Sequence, residues 1–193
     1  YYYGEFEELG YTTAGALDTW CIDKESSMPL LRSALVLYDT TQEQAYIEKA
    51  EKISYYLSTW LWHYKAGYGA DEDATRYGYN TFGATSVSTQ HHHLDVYALM
   101  WVSEWLRLAE LSGNDVWREK AKAIWTNGCQ ILSDGTLEIN GLIRPVGSQN
   151  EAFFECAWGG YPEKKRINDW LVAWPGAFRL ETMRNISDWG ALD

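Results

Sequence analysis

Tyr79-Asn80-Thr81-Phe82-Gly83-Ala84-Thr85-Ser86-Val87-Ser88-Thr89-Gln90-His91-His92-His93-Leu94-Asp95 opens with a loop that the chain carries twice. Its first six residues echo Tyr11-Thr12-Thr13-Ala14-Gly15-Ala16, and each copy leads through a polar stretch into an apolar one. Past the echo the copies diverge. The first continues to Asp18-Thr19-Trp20-Cys21-Ile22-Asp23-Lys24-Glu25, the second to three histidines and Asp95. A repeated loop with different polar residues in each copy is how a symmetric scaffold builds an asymmetric site.

The segments after the two loops repeat as well. After the first, Ser26 or Ser27 can cap a helix that tolerates Pro29 in its first turn and runs to about Tyr38. Leu30, Leu31, Ala34, Leu35, Val36 and Leu37 make it apolar on most sides, the pattern of a buried helix. Thr40 or Thr41 with Glu43 or Gln44 then reads as a capping box. Tyr46, Ala50, Ile53, Leu57 and Trp60 come next at helical spacing, with Glu48, Lys49, Glu51 and Lys52 on the other faces, so an outer amphipathic helix is expected. After the second loop an apolar helix is expected over 96–111, ended by Gly113, and Asn114 caps a second amphipathic helix bearing Trp117, Ala121, Ile124 and Ile131. Leu37 and Leu108, Tyr46 and Trp117, Ala50 and Ala121, Ile53 and Ile124 align at one offset, 71 positions (117 − 46).

The texture then changes. Leu137-Glu138-Ile139 and Leu142-Ile143-Arg144, joined by Asn140-Gly141, predict a β-hairpin with a type I′ turn. A polar loop and the aromatic run 153–161 precede a last helix expected to start near Asn168 or Asp169 and to kink at Pro175. Residues 64–90 read as a long irregular loop whose Asp71-Glu72-Asp73 run is expected to be solvated.

The 193 residues suffice for a single domain, 1–193, with 46% hydrophobic content. No apolar run reaches the roughly 18 residues a membrane span needs, and Tyr1-Tyr2-Tyr3-Gly4 is not the start of a signal peptide. The net charge of -11 argues against nucleic acid as a partner. Cys21, Cys129 and Cys156 form neither a disulfide framework nor a metal clip and are expected to be buried free thiols. Eleven tryptophans and fourteen tyrosines suit either an aromatic core or a sugar-binding cleft.

Inner apolar helices alternating with outer amphipathic ones build open solenoids or closed toroids. In its hairpin order, its Tyr-x-Thr-x-Gly-Ala loops and its aromatic and acidic loop residues, the chain resembles the six-hairpin glycosidase superfamily. The resemblance implies an all-α class, the (α/α)6 toroid, and a carbohydrate-active enzyme whose cleft lies where inner-helix N-termini converge. Only about two and a half hairpins are countable here. The expectation is therefore roughly half a toroid, the C-terminal part of a longer chain, or a piece that pairs with another copy.

Glycoside hydrolysis usually needs one protonated and one ionised carboxyl group. The first loop offers Asp18 and Asp23 as the first choices for this work and Glu25 after them, beside Trp20, and any of the three could also cap a helix. In the second, Gln90, His91, His92 and His93 suit sugar hydroxyls; taken as the start of a helix, consecutive histidines diverge too far to share a metal, and no cofactor is expected. Asp95 reads as a cap. The third loop offers Arg144, Gln149 and Glu151 near Phe153, Phe154, Glu155 and Trp158. Glu151 among aromatics is the candidate acid, and Arg144 could meet a uronic carboxylate. The favoured reading is a glycoside hydrolase. Its rivals are a non-catalytic helical-repeat module that binds a glycan or protein, and a polysaccharide lyase.

Overall fold

The computed structural model describes residues 2–13, 21–89, 93–154, 166–168 and 171–192. It is predominantly helical, with small antiparallel β elements. Helix α1 (Tyr2–Leu9) and strands β1 (Thr12–Thr13) and β2 (Ile22–Asp23) lead into helices α2 (Ser27–Thr41) and α3 (Ala45–Ser58). A short turn of helix, α4 (Asp73–Arg76), and strands β3 (Thr85–Ser86) and β4 (His93–Asp95) come next. A 3-10 turn (Tyr97–Trp101) then runs into α5 (Val102–Ser112) and α6 (Val116–Gly128). Strands β5 (Glu138–Ile139), β6 (Leu142–Ile143) and β7 (Ala152–Phe154) precede α7 (Trp174–Asn185) and a closing 3-10 turn (Trp189–Leu192).

The duplicated unit is real in three dimensions: two helical hairpins, α2–α3 and α5–α6, share one core. Ile47, Ala50, Ile53 and Leu57 of α3 are buried with Trp105, Leu108, Trp117, Ala121 and Ile124 of the second hairpin. Trp105 lies 5.7 Å from Trp101 and 5.5 Å from Trp117, ring centre to ring centre, and its Nε1 donates to Ser54 Oγ at 2.9 Å. These indoles belong to the core, not to a cleft. The two hairpins even turn alike. Gln42 (φ 61°) ends α2 and Gly113 (φ 70°) ends α5, both left-handed, with their N–H groups returned to Tyr38 O and Ala109 O.

Several expectations are corrected. Helix α2 runs on to Thr41, whose Oγ1 donates to Leu37 O, so no capping box forms. Nor is α2 buried all round: Val36 and Leu37 are exposed, because among the described residues no further hairpin covers that side. Pro175 starts α7 instead of kinking it, in the first turn where no N–H is needed. Asp73 is buried, not solvated, since Ile167 N–H donates to it at 2.9 Å and Arg166 at 3.2 Å. Cys21 is buried but Cys129 is exposed at the end of α6, and Cys156 lies outside the described residues.

The β content exceeds the single hairpin expected. That hairpin, β5–β6, does form, with Asn140 (φ 52°) and Gly141 (φ 78°) in the type I′ positions. In addition, β4 is the middle of a three-stranded antiparallel sheet, Leu94 facing Ser86 on β3 and Phe153 on β7. His93 to Asp95 are therefore extended, not the first turn of a helix. That sheet ties the loop before the second hairpin to the loop after it. Strand β2 pairs with β1 and meets Ser88 through Asp23, which brings the first loop to the same place.

Candidate functional site

Glu25 stands just before α2, Tyr97 begins the 3-10 turn leading to α5, and Trp174 begins α7. These three helix starts meet in one cluster. Its floor is an ion pair: Lys24 Nζ lies 2.7 Å from Asp95 Oδ2, both side chains without exposed surface. Lys24 also donates to Ser86 O at 2.8 Å. Asp95 Oδ1 accepts from Thr85 Oγ1 at 2.5 Å and from Tyr97 N–H at 3.0 Å. Asp95 therefore does cap the turn, as its position in the sequence suggests, while also holding the pair.

Two half-buried glutamates line this floor. Glu151 Oε1 accepts from Trp174 Nε1 at 3.3 Å, and its backbone N–H donates to Asn168 Oδ1 at 3.2 Å. Burial pushes its carboxyl above the ordinary value, the Trp174 N–H opposes that rise, and Asp95 adds to it. Glu25 is pushed up first by burial; Lys24 pulls it down, while Asp23, Asp95 and Glu151 push it up. The two glutamates come from loops 126 positions apart (151 − 25), and the Glu151 charge is the smallest of the influences on Glu25. Glu25 faces three carboxyl groups against one ammonium that is already engaged. Glu151 has a hydrogen-bond donor on its carboxylate oxygen. Both carboxyls are therefore raised, which for Glu151 agrees with the raised value expected among aromatic neighbours.

Tyr97 completes the cluster. Its ring stacks on Trp174 at 4.2 Å and 30°, and Lys24 Nζ sits 5.3 Å from its centre. Burial first, then Glu25, Asp95 and Glu151, hold its phenol far above the usual value. It can donate a hydrogen bond but is no base.

The other expected residues fall out differently. Asp18, Trp20, Gln90, His91, His92 and Trp158 lie outside the described residues. Asp23 is buried and accepts from Glu25 N–H at 3.0 Å, which is a turn-capping bond. Burial pushes its carboxyl up, against N–H bonds from Glu25 and Ser26 and the Lys24 charge. His93 is buried in β4. Arg144 is buried within the β5–β6 hairpin, its Nη2 reaching Ile139 O at 3.4 Å. Gln149 donates to Gly128 O and Gln130 O and accepts from Arg179 Nη2 at 2.6 Å, joining the end of α6 to α7. Of the named candidates, Glu25 and Glu151 are the two half-buried carboxyl groups that come together.

Lys24, Tyr97, Trp174 and Asn168 were not anticipated from sequence. One signal was present for the first of them: Lys24 and Asp95 are 71 positions apart, the repeat interval, so opposite charges stand at matching places. A groove of about 550 Å³ between α2, α5 and α7 lies elsewhere. Its two arginines are engaged, Arg32 with Glu104 at 2.7 Å and Glu181 at 3.1 Å, and Arg107 with Asp39 beside the groove. Among the described residues no group of three or more His, Cys, Asp or Glu side chains could hold a metal ion, and no helix is long and apolar enough to cross a membrane. No protein-family model, curated protein or solved structure matches this chain.

Proposed function

We propose that the chain is a glycoside hydrolase of α/α-toroid type, or the part of one that carries the catalytic carboxyl groups, acting on an oligo- or polysaccharide. The observation that carries this reading is the convergence of half-buried Glu25 and Glu151 on one cluster, Glu151 bonded to Trp174, Trp174 stacked on Tyr97 and Tyr97 beside Lys24, with each glutamate pushed upward chiefly by burial. Two carboxyl groups with raised values in one half-buried cluster suit the division of labour that the reaction needs, one protonated and one charged. Glu25 then donates its proton to the leaving glycosidic oxygen. Glu151, its oxygen held by Trp174, serves as the carboxylate that activates water or attacks the sugar. Lys24 and Asp95 hold Glu25 and Tyr97 in place beneath them.

The test is a screen of neutral and uronic oligosaccharides for reducing-end release and for ultraviolet absorbance of unsaturated products. Release without absorbance is expected, and Glu25→Gln and Glu151→Gln each lower it by about 100-fold or more while the fold persists. Absorbance would mean a lyase; binding without either product would mean a recognition module. Turnover that survives both substitutions sinks the carboxyl assignment.

A further inference from the structure

The Tyr97 ring is packed between neighbours. Its backbone N–H is tied to Asp95 Oδ1, Phe178 lies 5.6 Å away, and Trp174 is stacked on one ring face. An indole at 4.2 Å fills that face, so the Lys24 ammonium 5.3 Å from the ring centre lies over the other. With both faces closed, Tyr97 is not a stacking platform for a sugar. What a half-buried tyrosine so held has left to offer is its phenolic edge.

We propose, resting on the hydrolase reading, that Tyr97 is a further substrate-contacting residue whose phenolic O–H donates a hydrogen bond to an oxygen of the sugar bound against Glu25 and Glu151. The chemistry of the cluster calls for such a group. The Glu25 proton is committed to the glycosidic oxygen, and the Glu151 carboxylate accepts hydrogen bonds from sugar hydroxyls but donates none. Trp174 Nε1 is engaged by Glu151, and Lys24 by Asp95 and Ser86. Tyr97 supplies the donor, and burial first, then neighbouring negative charge, keeps its proton in place.

The test is Tyr97→Phe, which removes one oxygen and keeps both ring contacts. Titration calorimetry in a Glu151→Gln background, which stops turnover, reads the affinity for short neutral gluco-, manno-, galacto- and xylo-oligosaccharides. The expected loss is about three- to tenfold, the worth of one hydrogen bond, with the thermal midpoint unchanged. Incorporating 3-fluorotyrosine at position 97, a stronger donor of the same shape, is expected to tighten binding. Unchanged affinity on adding Tyr97→Phe, for a sugar that the natural chain binds, overturns the proposal and leaves the hydrolase reading standing. Binding by the natural chain without any release removes the hydrolase reading, while the affinity loss in Tyr97→Phe still supports the contact. If the natural chain binds no carbohydrate, both fall.

Discussion

Lys24 and Asp95 occupy matching places in the two copies of the repeat, 71 residues apart, and their side chains close on each other at 2.7 Å with no exposed surface. The repeat thus clamps itself through opposite charges at equivalent positions. Removing two charges from water is costly, and here further bonds offset it: Ser86 O for the ammonium, Thr85 Oγ1 and Tyr97 N–H for the carboxylate. What the pair contributes is position. It fixes the segment before α2 against the one before α5, and so sets Glu25 beside Tyr97.

Breaking one side of that pair leaves a buried charge alone. Lys24→Met is expected to lower unfolding free energy by about 3–5 kcal/mol, and the double replacement Lys24→Met, Asp95→Leu to lose clearly less. Urea denaturation of the four species in the cycle measures the coupling. A double-variant loss equal to the sum of the two single losses would show that the two charges do not depend on each other.

Glu25 and Glu151 make stability depend on pH in a particular direction. Both carboxyls are raised in the fold above the ordinary value of 4.5, chiefly by burial. Above that value the unfolded chain releases protons the folded chain still holds, so these groups weaken the fold as pH rises toward their folded values. Below it their cost is absent. Glu25→Gln and Glu151→Gln should therefore raise the thermal midpoint at neutral pH and flatten its fall between mildly acidic and neutral solution. Midpoints measured across that range decide it; a lower neutral midpoint in both variants would contradict the electrostatics.

Gly83 belongs to the repeated loop, and its place explains why a glycine stands there. Its φ is +87°, and a Cβ would come within 2.1 Å of Ala123 O on α6. Both the left-handed backbone and the close approach exclude a side chain. Gly83→Ala is expected to cost about 2–4 kcal/mol, since the atom to be displaced is helix backbone. Guanidinium denaturation reads this directly, and a loss under about 1 kcal/mol would mean that the loop stands off from α6.

Trp105 has no exposed surface and bridges the hairpins through Trp101, Trp117 and Ser54. Trp105→Ala is expected to cost about 3–5 kcal/mol, and Trp105→Phe about half of that, because the ring contacts survive while the Ser54 bond is lost. Chemical unfolding monitored by far-ultraviolet circular dichroism distinguishes the two.

The sequence by itself determined what depends on near neighbours. The 71-residue duplication, the inner and outer helices of each hairpin, the left-handed stop at Gly113 and the Asn140-Gly141 turn all come from local periodicity and backbone preference. Glu25 and Glu151 were readable as polar residues at the starts of inner segments. Tertiary structure alone decided that Glu25 and Glu151 share one half-buried cluster, where burial raises both. His93 to Asp95 became a strand because β3 and β7, remote in sequence, supplied its hydrogen bonds. Asp73 was buried because Ile167 and Arg166 came to it from 94 and 93 positions away. Tyr97 and Trp174 form a pair only once α7 docks on the turn before α5. Burial, and the charges that burial brings together, are set by contacts between distant segments, which no local pattern encodes.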